Sequence, residues 1–182
     1  LVEANDISCA ALLAGRAHTI GPLVNVYNEG TLDYLRRGGA VRVSLPAELP
    51  ARSVSALCRA GTGVELEVQA FGRLPLAISA RCYHARSYDL HKDGCQYVCG
   101  NDADGMVLET MDEVPFLAVN GTQTLSYTVC NLIRELGELA EMGVGSFRLW
   151  PQALDMVAVA RIFRDVLDGK EDGERASAQL DE

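Results

Sequence analysis

Long apolar runs are missing from this sequence. No window approaches the roughly 18 uninterrupted apolar residues of a membrane-spanning helix, because Arg, Asp, Glu or Gly interrupts each stretch first. Positive charge is in deficit. Sixteen Lys and Arg face 25 Asp and Glu, a formal net charge of −9, which argues against duplex nucleic acid or an anionic membrane surface as the main partner. No basic segment followed by an apolar one marks a signal peptide, so the thiols are expected to stay reduced and the location to be cytoplasmic. Histidine is scarce: His18, His84 and His91 are all there is, which leaves few bases for a Ser–His–Asp arrangement. His-Glu-x-x-His, Gly-x-Ser-x-Gly, a phosphate loop and Gly-x-Gly-x-x-Gly are all lacking, which removes motif support for a zincin, a nucleophile elbow or a nucleotide cradle.

What is present is ordinary globular material, 48% apolar and 23% charged. Short apolar runs alternate with amphipathic stretches, the pattern of βα units in a mostly parallel sheet. Strands are predicted at 1–5, 18–23, 41–45, 64–70, 116–119 and 146–149, with 74–79 as further extended chain. Helices are predicted at 10–16, 31–37 with Thr31 as N-cap, 51–60, 128–142 and 153–167. Residues 82–115 show no sustained period and read as a Cys-rich insertion loop; 168–182 read as a disordered acidic tail. The expected fold is therefore α/β: a partial TIM-like (β/α) barrel spanning 1–167, with about five to six of the usual eight units. The chain opens on Leu1 inside a strand-like stretch, so the remaining N-terminal units are expected upstream.

Six cysteines are present. Cys9, Cys58 and Cys130 each stand alone in apolar or helical surroundings and read as small buried hydrophobes. Cys82, Cys95 and Cys99 fall together in the irregular segment at the spacing C-x12-C-x3-C, where a flexible loop can wrap thiolates around a soft metal. Zinc would take His84 or His91 as fourth ligand; a [4Fe–4S] cluster would need a fourth thiolate that the loop lacks. Arg81, Arg86 and Lys92 lie beside the cysteines and favour the deprotonated form. In a barrel the working face is the C-terminal end of the strands, so Asn25, Asn28, Glu67, Arg81 and Gln123 are the candidates for a common pocket. Glu67 is expected to pair with Arg81, while Asn25 and Asn28 have helix capping as their alternative reading.

The segment 67–82, with Glu67, Gly72, Leu74, Ser79, Arg81 and Cys82, resembles the signature of the U32 peptidase-like family. Further matches are Val2-Glu3-Ala4-Asn5-Asp6, Asn25-Val26-Tyr27-Asn28, Pro46-Ala47-Glu48-Leu49, Asn120-Gly121-Thr122-Gln123-Thr124 and Arg148-Leu149-Trp150-Pro151-Gln152. The continuation through Cys95 and Cys99 is similar to one branch, the accessory proteins of oxygen-independent ubiquinone biosynthesis. That resemblance implies a [4Fe–4S] cluster held by these three cysteines and one from an N-terminal part. It also implies a heterodimer with a sister U32 protein (UbiU-like), and contact with other proteins of the quinone-precursor pathway. Pro75 stands where the wider family often has cysteine. Two other activities compete: a peptidase or collagenase-like hydrolase, and an RNA-base-hydroxylating relative, which the net negative charge disfavours.

Overall fold

A computed structural model describes residues 1–180 of the chain. The residues form two compact units: Leu1–Ala70, Leu132–Leu149 and Ile162–Glu182 make the first, Phe71–Asn131 and Trp150–Arg161 the second.

The first unit is a run of βα repeats. Strands β1 (Glu3–Ala4), β2 (His18–Ile20), β3 (Ala40–Ser44) and the start of β4 (Glu65–Ile78) pair in that order, all parallel. The expected parallel adjacency of the strands at 18–23, 41–45 and 64–70 is thus observed. Helices α1 (Ile7–Leu12), α2 (Glu29–Arg37) and α3 (Ala51–Arg59) fall between successive strands. Strand β8 (Ser146–Leu149) pairs with β4.

Register explains the two faces. Ala4, Ile20, Val43 and Leu66 align across the four strands and are all buried against Leu32 and Leu35 of α2 and Val54 and Leu57 of α3. Side chains alternate along a strand, so the preceding residues Glu3, Thr19, Arg42 and Glu65 occupy the other face. A sheet apolar towards its helices and charged on the opposite side follows directly from that alternation.

Helix ends are set by local chemistry. Asp6 caps α1 by accepting from the Ser8 and Cys9 amides at 2.7 and 3.0 Å, and Asn28, not Thr31, caps α2 by accepting from the Thr31 amide at 2.9 Å. Helix α5 (Leu136–Met142) stops at Gly143, whose φ of 108° only glycine takes without strain.

The second unit is an antiparallel sheet. The far half of β4 pairs with β7 (Gln123–Asn131), β7 with β6 (Pro115–Asn120), and β6 with β5 (Met106–Glu109). Three expectations change here. Residues 128–131, expected to open the helix at 128–142, are instead the end of strand β7, where Val129, Cys130 and Asn131 pair with Arg73, Gly72 and Phe71 of β4. The segment 82–115 is not featureless: it carries α4 (Tyr83–Ser87), 3-10 turns at Lys92–Gly94 and Val98–Asn101, and β5. The extended pieces 64–70 and 74–79 are one continuous strand.

Helix α6 (Met156–Leu167) matches its predicted C-terminal end. Beyond it, α7 (Gly173–Leu180) replaces the expected disordered tail, with Ala176 and Ser177 buried and Glu174 paired to Arg134 at 3.2 Å; residues 181–182 lie outside the described residues. Among the described residues no helix is long and apolar enough to cross a membrane. The mixed α/β architecture and the parallel run of βα units are compatible with a partial barrel.

Candidate functional site

Two constellations collect the chemistry-bearing side chains, one in each unit.

On the polar face of the first unit, carboxylates and guanidiniums alternate. Arg148 of β8 donates from Nε to Glu67 Oε1 at 2.6 Å and also binds the Glu3 carboxylate with both terminal nitrogens. Arg42 Nη1 lies 3.9 Å from the other Glu67 oxygen, and its Nη2 donates to Glu65 at 3.2 Å. Ser146 donates to Glu65, and Asn5 donates to Glu3 at 2.9 Å. Three carboxylates therefore share two guanidiniums. Hydrogen bonding from Arg148 holds the Glu3 carboxyl below its ordinary value despite partial burial. The Ser146 hydroxyl does the same for Glu65, with Arg42 adding to it. Burial opposes the charge on Arg148, but Glu3 and Glu67 outweigh it and raise the group overall. Carboxylates held down in this way accept hydrogen bonds and hold cations; they do not act as general acids near neutral pH.

Glu67 is only 7% exposed, and its partner is Arg148 in place of the expected Arg81. The sequence carries a signal for Arg148: Ser146-Phe147-Arg148-Leu149 alternates, so Ser146 and Arg148 share a face while Phe147 packs on the core. Ser44, aligned with Glu67 in the register, is fully buried, and its hydroxyl finds no hydrogen-bond partner.

The other sequence candidates are dispersed. Asn28 is engaged in the α2 cap and Asn25 is exposed, both in the first unit. Arg81 and Gln123 belong to the second unit, where they line different clefts. Gln123 shares a cleft of about 440 Å³ with Arg73, Asp104, Asn120 and Trp150. Arg81 shares one of about 610 Å³ with Cys82, Arg86, His91 and Lys92, which places the expected cations beside the first cysteine.

Cys82, Cys95 and Cys99 are free, half-buried thiols in the second unit. Cys82 precedes α4, and its sulfur accepts from the Ala85 amide at 3.3 Å. Cys95 ends the first 3-10 turn, and Cys99 lies within the second. Between them Gln96 and Tyr97 both adopt left-handed backbone, with φ of 52° and 55°, at a cost of roughly 1 kcal/mol or more each. Among the described residues no three His, Cys, Asp or Glu side chains are gathered closely enough to hold a metal, so the expected convergence of the three sulfurs is not displayed; each is engaged in its own turn. As a donor set they fit three corners of a thiolate-bound centre. Of the isolated cysteines, Cys58 is half-buried against the core, where burial pushes its thiol up. Cys9 is exposed rather than buried, with its thiol 3.7 Å from Asp6.

His84 is fully buried. Its Nδ1 meets the Val119 carbonyl oxygen at 3.2 Å and its Nε2 meets Asp102 Oδ2 at 2.9 Å. Tyr88 stacks on the ring at 5.8 Å and donates to the same Asp102 oxygen at 3.3 Å. Both ring nitrogens of His84 are thus engaged within the fold, one by a backbone carbonyl and one by a carboxylate, and neither is turned towards a metal or a nucleophile.

No solved structure matches the chain. The family model described as peptidase family U32 matches residues 6–182. A match through both units, including the Cys82–Cys99 segment and the Glu67–Arg148 pair, shows that the chain belongs to peptidase family U32.

Proposed function

We propose that the chain is the cysteine-bearing part of an iron–sulfur accessory protein for oxygen-independent ring hydroxylation in ubiquinone biosynthesis, a UbiV-like role, working as a heterodimer with a UbiU-like sister U32 protein in the cytoplasm. The observation that carries this reading is the set of three free, half-buried thiols within 18 residues of the second unit, the first of them, Cys82, sharing a cleft with Arg81, Arg86 and Lys92. Thiolates of this kind are soft donors suited to iron–sulfur clusters or zinc. Cys82, Cys95 and Cys99 would hold a [4Fe–4S] cluster at three irons, with the fourth ligand supplied from outside the segment. When bound, such a group supplies single-electron transfer, which a hydroxylation without dioxygen requires. Arg81 and Arg86 line the cleft with Cys82, where Lys92 is paired with Asp93 at 2.7 Å, and the Glu3–Arg148–Glu67 pairing fixes β8 against β4 within the first unit.

Zinc is the alternative occupant, but the engagement of both His84 nitrogens disfavours that histidine as its fourth ligand. The same engagement disfavours the hydrolase reading, since His84 is the histidine that pairs with a carboxylate and it presents no free nitrogen to a nucleophile. The test is iron and acid-labile sulfide per chain in the full-length protein purified without air, alongside Cys95→Ala. We expect a brown protein that loses most of its iron in the variant, and normal ubiquinone to be absent from cells deleted for the gene and grown without oxygen. Unchanged iron in Cys95→Ala, or normal ubiquinone in those cells, rejects the reading.

A further inference from the structure

Within the second unit, the first and third cysteines sit on separate pieces of chain. Cys82 leads into α4, a single turn and a half of helix, and Cys99 sits in a 3-10 turn of four residues. Neither piece is long enough to be stable by itself. What joins them is a polar contact between the buried His84 and the half-buried Asp102. His84 lies two residues after Cys82, and Asp102 lies three residues after Cys99. Their bond at 2.9 Å therefore ties the two cysteine-bearing turns side chain to side chain. Val119 of β6 anchors the same ring from behind at 3.2 Å, which fixes the pair to the sheet. Tyr88 closes the arrangement, stacked on the imidazole with the planes 5° apart and hydrogen-bonded to Asp102.

We propose that His84 is a positioning residue for the cysteine centre: paired with Asp102, it clamps the Cys82 turn to the Cys99 turn and does not itself ligate. The assignment of a metal to these cysteines rests on the function proposed above, whereas the clamp is a property of the chain with or without metal. Neighbours at both ring nitrogens, the Val119 carbonyl and the Asp102 carboxylate, suit a strut and occupy the two positions from which a histidine coordinates. Histidine's other candidate role falls to His91, which is exposed and lies on the rim of the Cys82 cleft.

The test compares the parent with His84→Gln and Asp102→Asn, using two readouts. The first is the alkylation rate of each cysteine in the metal-free chain, resolved by mass spectrometry. Hydrogen bonds to a charged group are strong enough that losing one opens a local segment by about tenfold. Cys82 and Cys99 are therefore expected to react about tenfold faster in both variants, while Cys58 in the first unit and Cys130 on β7 keep their parental rates. A general loss of stability would instead accelerate all four together and overturn the clamp. So would parental rates at Cys82 and Cys99. The second readout is iron per chain after anaerobic reconstitution, with the electron paramagnetic resonance spectrum of the reduced centre. Both variants are expected to retain several-fold less iron, with the parental spectrum in what remains. A shifted spectrum in His84→Gln alone would make His84 a ligand and overturn the proposal. A parent that binds no iron would reject the cluster, and the alkylation rates would still decide the clamp.

Discussion

Replacing Arg148 strands two carboxylates at once. Glu67 is nearly buried and Glu3 is partly so, and removing one partner of a buried ion pair leaves an uncompensated charge whose cost outweighs the pair's own net worth. Arg148→Met is expected to destabilise the chain by about 3 kcal/mol at neutral pH, and adding Glu67→Gln to it should recover part of that loss. The pH dependence has a definite sign. Glu3 is held below its ordinary value of 4.5, chiefly by its hydrogen bonds from Arg148, so the folded parent binds fewer protons there than the unfolded chain. That contribution, which the variant lacks, is fully present above 4.5 and disappears as the pH falls through the folded value. Urea midpoints for parent and variant should therefore draw together well below 4.5. A gap of constant size across that range would show that Arg148 acts by packing alone.

At the scale of elements, β4 makes the strongest local demand on one residue. It runs for 14 residues, pairing in parallel with β3 at its start and antiparallel with β7 along its far half. At Gly72 the backbone has a φ of 103°, and a Cβ there would lie 2.5 Å from the Trp150 carbonyl oxygen. Neither the dihedral nor the contact tolerates a side chain. Gly72→Ala is expected to cost about 2–4 kcal/mol, read as a lowered thermal midpoint, whereas Gly121→Ala, where the added methyl meets open space, should cost about 1 kcal/mol for its positive φ alone. Equal losses would mean that Trp150 yields.

The parallel strands are legible in the sequence as short apolar runs between amphipathic stretches, and α2, α3 and α6 because each spans nine residues or more with one apolar face. The end of β7 is not. Leu125, Tyr127 and Val129 alternate as a strand should, but the run leads without a break into the apolar Leu132 and Ile133 ahead of α5, so a helical period extends backwards over 128–131. Elements such as α4 and the two 3-10 turns are shorter than one period can reveal, and α7 buries Ala176 and Ser177, small side chains that leave no hydrophobic stripe. In the site, the cysteine spacing and Glu67 were visible residue by residue. Arg148, the partner of Glu67, and Asp102, the partner of His84, were not, since a pairing across 81 or 18 positions is set by the fold rather than by local pattern.

Across the whole molecule, the core is unequally shared. The contiguous hydrophobic cluster, from Ala4 through Val144, lies entirely in the first unit. Among the described residues the second unit buries just Phe71, Ala85, Ala118, Val119, Leu125 and Val159 of the apolar side chains. It also carries Gln96, Tyr97, Asp89 and Glu113 in left-handed backbone, the residues other than glycine with positive φ. Few apolar contacts and stored backbone strain both lower the free energy of local opening. Metal held by thiolates acts the other way, because a ligand that binds the folded segment and not the open one stabilises it in proportion to the logarithm of its saturation. Hydrogen–deuterium exchange should therefore separate the units in the metal-free chain, with amides of 82–110 exchanging far faster than those of β2, β3 and α3. Anaerobic reconstitution with iron and sulfide should slow the 82–110 amides at least about tenfold, a gain of roughly 1.4 kcal/mol, and leave the first unit as it was. Exchange in 82–110 as slow as in the first unit before any metal is added would contradict the reading of that segment as a marginal scaffold. Exchange unchanged by iron would remove the metal from it.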